Sequence, residues 1–102
     1  MSVAQIEPTE LRRRLNAGEK IEMIDVREDE EVATGMIPGA KHIPLGQIPA
    51  RLDEIDKSGE VIFICRSGRR SEHACEYLQQ LGFDDVVNLT GGMIEWYNTE
   101  EE

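Results

Sequence analysis

The chain is short of positive charge, of cysteine and of long apolar runs. It carries 11 basic residues against 21 acidic ones in 102, a formal net charge of −10. So few cations leave no broad basic face to neutralise phosphates, which argues against nucleic-acid binding. The acidity itself serves solubility. Two cysteines make no disulfide framework and suit a reducing compartment, so a cytoplasmic location is expected. No apolar run approaches the roughly 20 residues that cross a bilayer, and no membrane span is expected. The first residues, Met1-Ser2-Val3-Ala4-Gln5-Ile6-Glu7, lack a basic stretch followed by an apolar one and are not read as a signal peptide. His42 and His73 fall in no zinc-like spacing with Cys65 and Cys75, so neither metal nor cofactor is expected. There is no internal repeat, and the acidic end reads as a solvated tail, frayed from about residue 99.

What is present suits a single domain over residues 1–102, with 39% apolar and 31% charged residues. Pro8-Thr9-Glu10 opens a helix that Gly18 closes. Ile21 to Val26 reads as a strand, Glu28 to Thr34 as a short acidic helix, and Gly35 to Ala40 as a loop. His42-Ile43 is a short strand. Leu45, Ile48, Leu52 and Ile55 have helical spacing that Pro49 weakens. Val61 to Ile64 is an apolar strand, Ser71 to Leu81 an amphipathic helix, and Asp85 to Leu89 the last strand before a terminal helix through Tyr97. Continuous apolar strands separated by helical segments predict an open α/β sheet, parallel and covered on both faces.

One segment departs from the acidic background. Cys65-Arg66-Ser67-Gly68-Arg69-Arg70-Ser71 follows the strand Val61 to Ile64 and leads into the best helix. Sites in open α/β sheets form beyond the carboxyl ends of the strands. There the free N–H groups of a loop and of a helix's first turn can form an anion-binding nest. With the arginines, they should lower the thiol pKa below the roughly 8.5 of a free cysteine. Gly68 gives the loop backbone freedom. The residue types point to a nucleophilic thiolate in a pocket for anions.

Asp25-Val26-Arg27 with Glu31, Gly35-Met36-Ile37-Pro38-Gly39-Ala40, the Cys65 to Ser71 loop, and Gly91-Gly92-Met93 with Trp96 occur in that order along most of the chain. Together they resemble the single-domain rhodanese family of sulfurtransferases. Met36 and Val32 depart from the family pattern, where a histidine and an aromatic are usual. The resemblance implies a single rhodanese-like α/β domain, with an open, mostly parallel sheet of about five strands and helices on both faces. It implies a ping-pong transfer of sulfane sulfur through a Cys65 persulfide. The donor is a small anion such as thiosulfate, or a persulfide. The acceptor is cyanide in an assay and a thiol or protein cysteine in the cell. The expected loop is Arg66, Ser67, Gly68, Arg69, Arg70 and Ser71 around Cys65, with Arg66 and Arg69 facing the donor. Arg70 is expected to turn inward to Asp25 or Glu31. Asp25, Arg27 and Glu31 stand behind the loop. The expected assembly is a monomer or weak dimer.

Two rival readings remain. A cysteine phosphatase or arsenate reductase would place five residues between the cysteine and an essential arginine, but here that position is Ser71 and the arginine comes one earlier. A non-catalytic interaction or sulfur-carrier module would keep the fold without turnover. Cys75 falls on the apolar helix face and is read as core. Trp96 and Tyr97 are read as packing the last helix.

Overall fold

The computed structural model describes residues 2–101. Its five strands are β1 (Ala4–Ile6), β2 (Glu22–Asp25), β3 (Lys41–His42), β4 (Val61–Ile64) and β5 (Val86–Leu89). They pair side by side in the order β1-β5-β4-β2-β3, every pair parallel. All four residues of β4 and of β5 are buried, which is why β4 reads as an unbroken apolar run and β5 as one interrupted only by Asn88. Side chains alternate along β4. Val61 and Phe63 enter one core layer, Ile62 and Ile64 the other.

Helices cover both faces, as the sequence predicts. Against the Phe63 layer pack Ala74, Cys75 and Leu78 of α3 (Arg69–Gln80), together with Ile48 of a 3-10 segment, Leu45–Glu54. Against the Ile64 layer pack Leu11 of α1 (Pro8–Asn16) and Met93 and Trp96 of α4 (Gly92–Asn98). The short α2 (Asp29–Val32) lies between β2 and β3. None of these helices is long and apolar enough to cross a membrane.

Four local features differ from the sequence expectation. β1 has no counterpart there, because three residues with two exposed side chains carry no readable pattern. The Leu45 segment winds as 3-10 helix and breaks at Arg51, in keeping with the missing N–H of Pro49. Helix α3 starts at Arg69, two residues early, with Gly68 as its N-cap. Thr99, placed at the start of a frayed tail, is instead buried. Its hydroxyl donates to Trp96 O at 2.6 Å and accepts from Arg12 Nε at 2.7 Å. The Arg12 guanidinium also stacks 3.9 Å from the Trp96 ring centroid, tying α1 to α4. The tail's last residue, Glu102, lies outside the described residues.

Candidate active site

Cys65 follows directly on β4, with 1% of its surface exposed. The next residues curl back, so that the Gly68 N–H donates to Cys65 Sγ at 3.0 Å and Ser71 Oγ lies 3.3 Å from it. Gly68 makes this curl at φ +96°, a conformation that side chains resist, and the N-terminus of α3 then faces the sulfur. Burial pushes the thiol pKa up. The Ser71 hydroxyl and the backbone N–H groups of Ser71, Gly68 and Ser67 outweigh it and bring the pKa below the ordinary value. The sequence argument names the loop N–H groups and the arginines together as the source of this acidity. The groups within reach of the sulfur contribute most to the lowering, and the Arg70 guanidinium adds a charge attraction that favours the thiolate.

The other side of the loop is tied to α4. Met93 N–H donates to Cys65 O at 2.9 Å and Ile94 N–H to Arg66 O at 3.1 Å. This approach requires Gly92. Its φ is +57°, and a Cβ there would stand 2.4 Å from Cys65 O and 2.6 Å from Arg66 C and O. Both loop carbonyls are thus engaged by α4 rather than turned toward the sulfur.

Arg70 reaches across to α2. Its Nη1 and Nη2 donate to the two Glu31 carboxylate oxygens at 2.7 and 2.8 Å. Of the two partners expected for Arg70, Asp25 is therefore not the one. Asp25 is fully buried and held by Arg27, whose Nε and Nη2 donate to it at 2.8–3.1 Å. Arg27 also donates to Gly35 O at 2.7 Å, closing the segment that carries Glu31. Asp25 and Arg27 brace this segment, and Glu31 alone of the three hydrogen-bonds the cysteine loop.

A family model described as a rhodanese-like domain matches residues 7–99. The chain belongs to the rhodanese-like family. It is 49% identical over 96 residues to YtwF of Bacillus subtilis, by name a candidate sulfurtransferase, covering 94% of this chain and 92% of that protein. It is 45% identical over 94 residues to a sulfurtransferase of Allochromatium vinosum, covering 92% and 88%. The crystal structure of a rhodanese-like domain protein from Staphylococcus aureus superposes with a TM-score of 0.87 at 39% identity, covering 92% of this chain and 91% of that one.

Within this rhodanese-like domain, two cavities flank the loop. One of about 380 Å³ is bordered by Arg69, His73, Glu72, Glu76 and Asn88. The other, of about 370 Å³, is bordered by Arg66, Thr34, Met93, Ile94 and Tyr97. The structure does not bring Arg66 and Arg69 to one mouth. Both are exposed, on opposite sides of the loop. Tyr97, read from sequence as packing the last helix, is 44% exposed and edges the second cavity. Trp96 and Cys75 are buried as expected.

Two site residues escape the sequence argument. Asn88, in β5, accepts from the Ser71 hydroxyl through Oδ1 and donates through Nδ2 to Gly68 O at 3.1 Å and Gln5 Oε1 at 2.9 Å. Gln5 comes from the unpredicted β1. The available signal was a polar residue inside Val86-Val87-Asn88-Leu89: a buried amide needs partners.

Proposed function

We propose that this rhodanese-like domain is a sulfurtransferase that carries sulfur as a persulfide on Cys65. The observation that carries the reading is the buried Cys65 Sγ, with Gly68 N–H at 3.0 Å and Ser71 Oγ at 3.3 Å in a loop closed on one side by Gly92. These groups favour the thiolate, the form that attacks sulfur.

In the first half-reaction the Cys65 thiolate attacks the outer sulfur of thiosulfate or of a persulfide donor. The new S–S bond forms as the donor's S–S bond breaks, and sulfite, or the donor thiolate, leaves with the electron pair. The terminal sulfur of the Cys65 persulfide then bears the negative charge, and the loop N–H groups suit that anion. In the second half-reaction an acceptor thiolate, or cyanide in an assay, attacks the terminal sulfur and Cys65 leaves as thiolate. Dividing the transfer over a covalent intermediate lowers each barrier. The donor is a small sulfur anion and the acceptor a thiol or protein cysteine. No cofactor takes part.

The phosphatase reading finds less support. A tetrahedral phosphate needs a free guanidinium facing the cysteine, but Arg70 is held by both oxygens of Glu31. The test is a thiosulfate and cyanide assay with Cys65→Ala as control, with mass spectrometry for the gain of one sulfur atom on Cys65. Turnover and the adduct are expected. Their absence with thiosulfate and with glutathione persulfide would move the domain to the non-catalytic reading.

A further inference from the structure

The amides behind the loop fix a direction of hydrogen bonding that ends at the sulfur. Gln5 Nε2 donates to Glu72 Oε1 and to Val3 O, both at 3.3 Å, and both groups can only accept. Gln5 Oε1 is therefore the atom that meets Asn88, and Asn88 Nδ2 donates to it at 2.9 Å. The same Nδ2 donates to Gly68 O, a second obligatory acceptor, at 3.1 Å. These contacts assign the Asn88 amide: a flip would set its oxygen against two acceptors. Asn88 Oδ1 then faces Ser71 Oγ and can only accept its proton.

A serine hydroxyl has one proton. Ser71 Oγ lies between two acceptors, Asn88 Oδ1 and Cys65 Sγ. While the proton goes to Asn88, Ser71 offers the sulfur only a lone pair. That lone pair accepts from the neutral thiol S–H and repels a thiolate.

We propose that Asn88 is a positioning residue that holds the Ser71 proton away from Cys65, so that ionisation of the thiol requires this proton to turn from Asn88 to the sulfur. The thiol proton passes to solvent. The S–H bond is the one that breaks, and the Ser71 hydroxyl rotates to donate to the new thiolate. Once the sulfur is loaded, Sγ is no longer the anion and the hydroxyl returns to Asn88. The amide thus acts as a brake on thiolate formation in the unloaded site. This deepens the reading of Cys65 as nucleophile, but its readout is ionisation rather than turnover.

The charged groups around the sulfur are Arg70, paired with Glu31, and Arg66 and Arg69 on the loop. On the far side Asp25 is tied to Arg27. Glu72, Glu76 and His73 border the cavity beside Asn88, so the measurement is repeated with His73→Gln, which replaces the imidazole with an uncharged amide.

The test is the pH dependence of Cys65 alkylation by iodoacetamide in a Cys75→Ala background. Asn88→Leu is nearly isosteric and removes the acceptor, while Gly68 O keeps its bond from Glu72 N–H at 3.3 Å. The midpoint should fall by about one pH unit, about tenfold in thiolate at a given pH, the scale of one hydrogen bond to a charged group. With Ser71→Ala also present, Asn88→Leu should leave the midpoint unchanged. Asn88→Ala serves the same cycle should the leucine variant fail to fold. An unchanged or raised midpoint with Ser71 present, or an equal shift with and without Ser71, would overturn the proposal and leave Asn88 as a brace for Gly68. Absence of turnover in the wild type alongside the predicted midpoint shifts would count against the sulfurtransferase reading and not against this one.

Discussion

Arg70 and Glu31 stand 39 residues apart and meet in a two-pronged ion pair of 2.7 and 2.8 Å. The pair joins the first turn of α3 to α2 and so fixes one flank of the cysteine loop. Arg70→Ala would leave the Glu31 carboxylate partly buried without its partner. A loss of about 1 kcal/mol in unfolding free energy is expected, the upper range for a partly exposed pair. Turnover should fall as well, since the loop loses an anchor. Chemical denaturation and steady-state rates measure both, and a variant unchanged in each would show that the pair anchors nothing.

The same pair predicts a pH dependence. Hydrogen bonds from Arg70, then from the Glu28 N–H, hold the Glu31 carboxyl at about 2 instead of 4.5. A carboxyl depressed in the folded state stabilises it fully above its unfolded pKa and loses that contribution as pH falls through the folded value. The urea midpoints of wild type and Glu31→Gln should therefore differ by a constant amount above about pH 4.5 and converge toward pH 2. A gap that stays open at low pH would contradict the assignment.

Gly91 and Gly92 both adopt positive φ, +71° and +57°, yet their substitution should not be equivalent. A Cβ at Gly91 meets Glu95 Cγ and, at 2.8 Å, Glu95 Cβ, so the first turn of α4 must adjust, whereas one at Gly92 meets the backbone of Cys65 and Arg66. Gly91→Ala should cost about 2 kcal/mol, the left-handed penalty plus the strained α4 turn, and leave Cys65 alkylation unchanged. Gly92→Ala should cost at least about 2 kcal/mol and also slow Cys65 alkylation, because the loop itself must shift. Thermal unfolding measures the cost of each and alkylation rates separate the two, and equal effects on alkylation would remove the role given to the α4 contact.

The two cysteines should differ in the native protein. Burial, then the nearby charges of Glu72 and Glu76, push the Cys75 thiol up to about 12, while donors lower Cys65. Iodoacetamide at neutral pH should label Cys65 and leave Cys75 unlabelled until the chain unfolds, which peptide mapping reads directly. Native labelling of Cys75, or a disulfide between the two, would refute its placement in the core.

These contrasts show what the sequence could disclose. The cysteine loop is legible because its charges and glycine are contiguous and follow an apolar strand. The sheet and its two covered faces are legible because β4 is apolar without interruption and β5 is broken only by Asn88. The Arg70 partner narrows only to Asp25 or Glu31, since choosing requires knowing that Arg27 already occupies Asp25. The Gln5–Asn88–Ser71 chain is illegible for a different reason. Its members lie 83 and 17 residues apart, on β1, β5 and α3, and only the sheet order brings them together.

The two cavities beside the loop make unequal claims on an anionic donor. On the Arg69 side stand two carboxylates, Glu72 and Glu76, so the local charge is negative even with the arginine present. On the Arg66 side Glu31 is neutralised by Arg70 and Arg27 by Asp25, leaving Arg66 opposed by Glu30 alone. A dianion is repelled less there, and Met93, Ile94 and Tyr97 keep water from part of the cavity wall. Removing a unit charge several ångströms from a dianion in water costs on the order of 1 kcal/mol, about fivefold in affinity. Arg66→Ala should therefore raise KM for thiosulfate by about that factor, and Arg69→Ala by less, with kcat changed little in both. The Arg66 effect should shrink as salt is added, because the charge is exposed. Steady-state kinetics at two ionic strengths measure it. A larger KM effect at Arg69 would move the donor's entry to the opposite cavity.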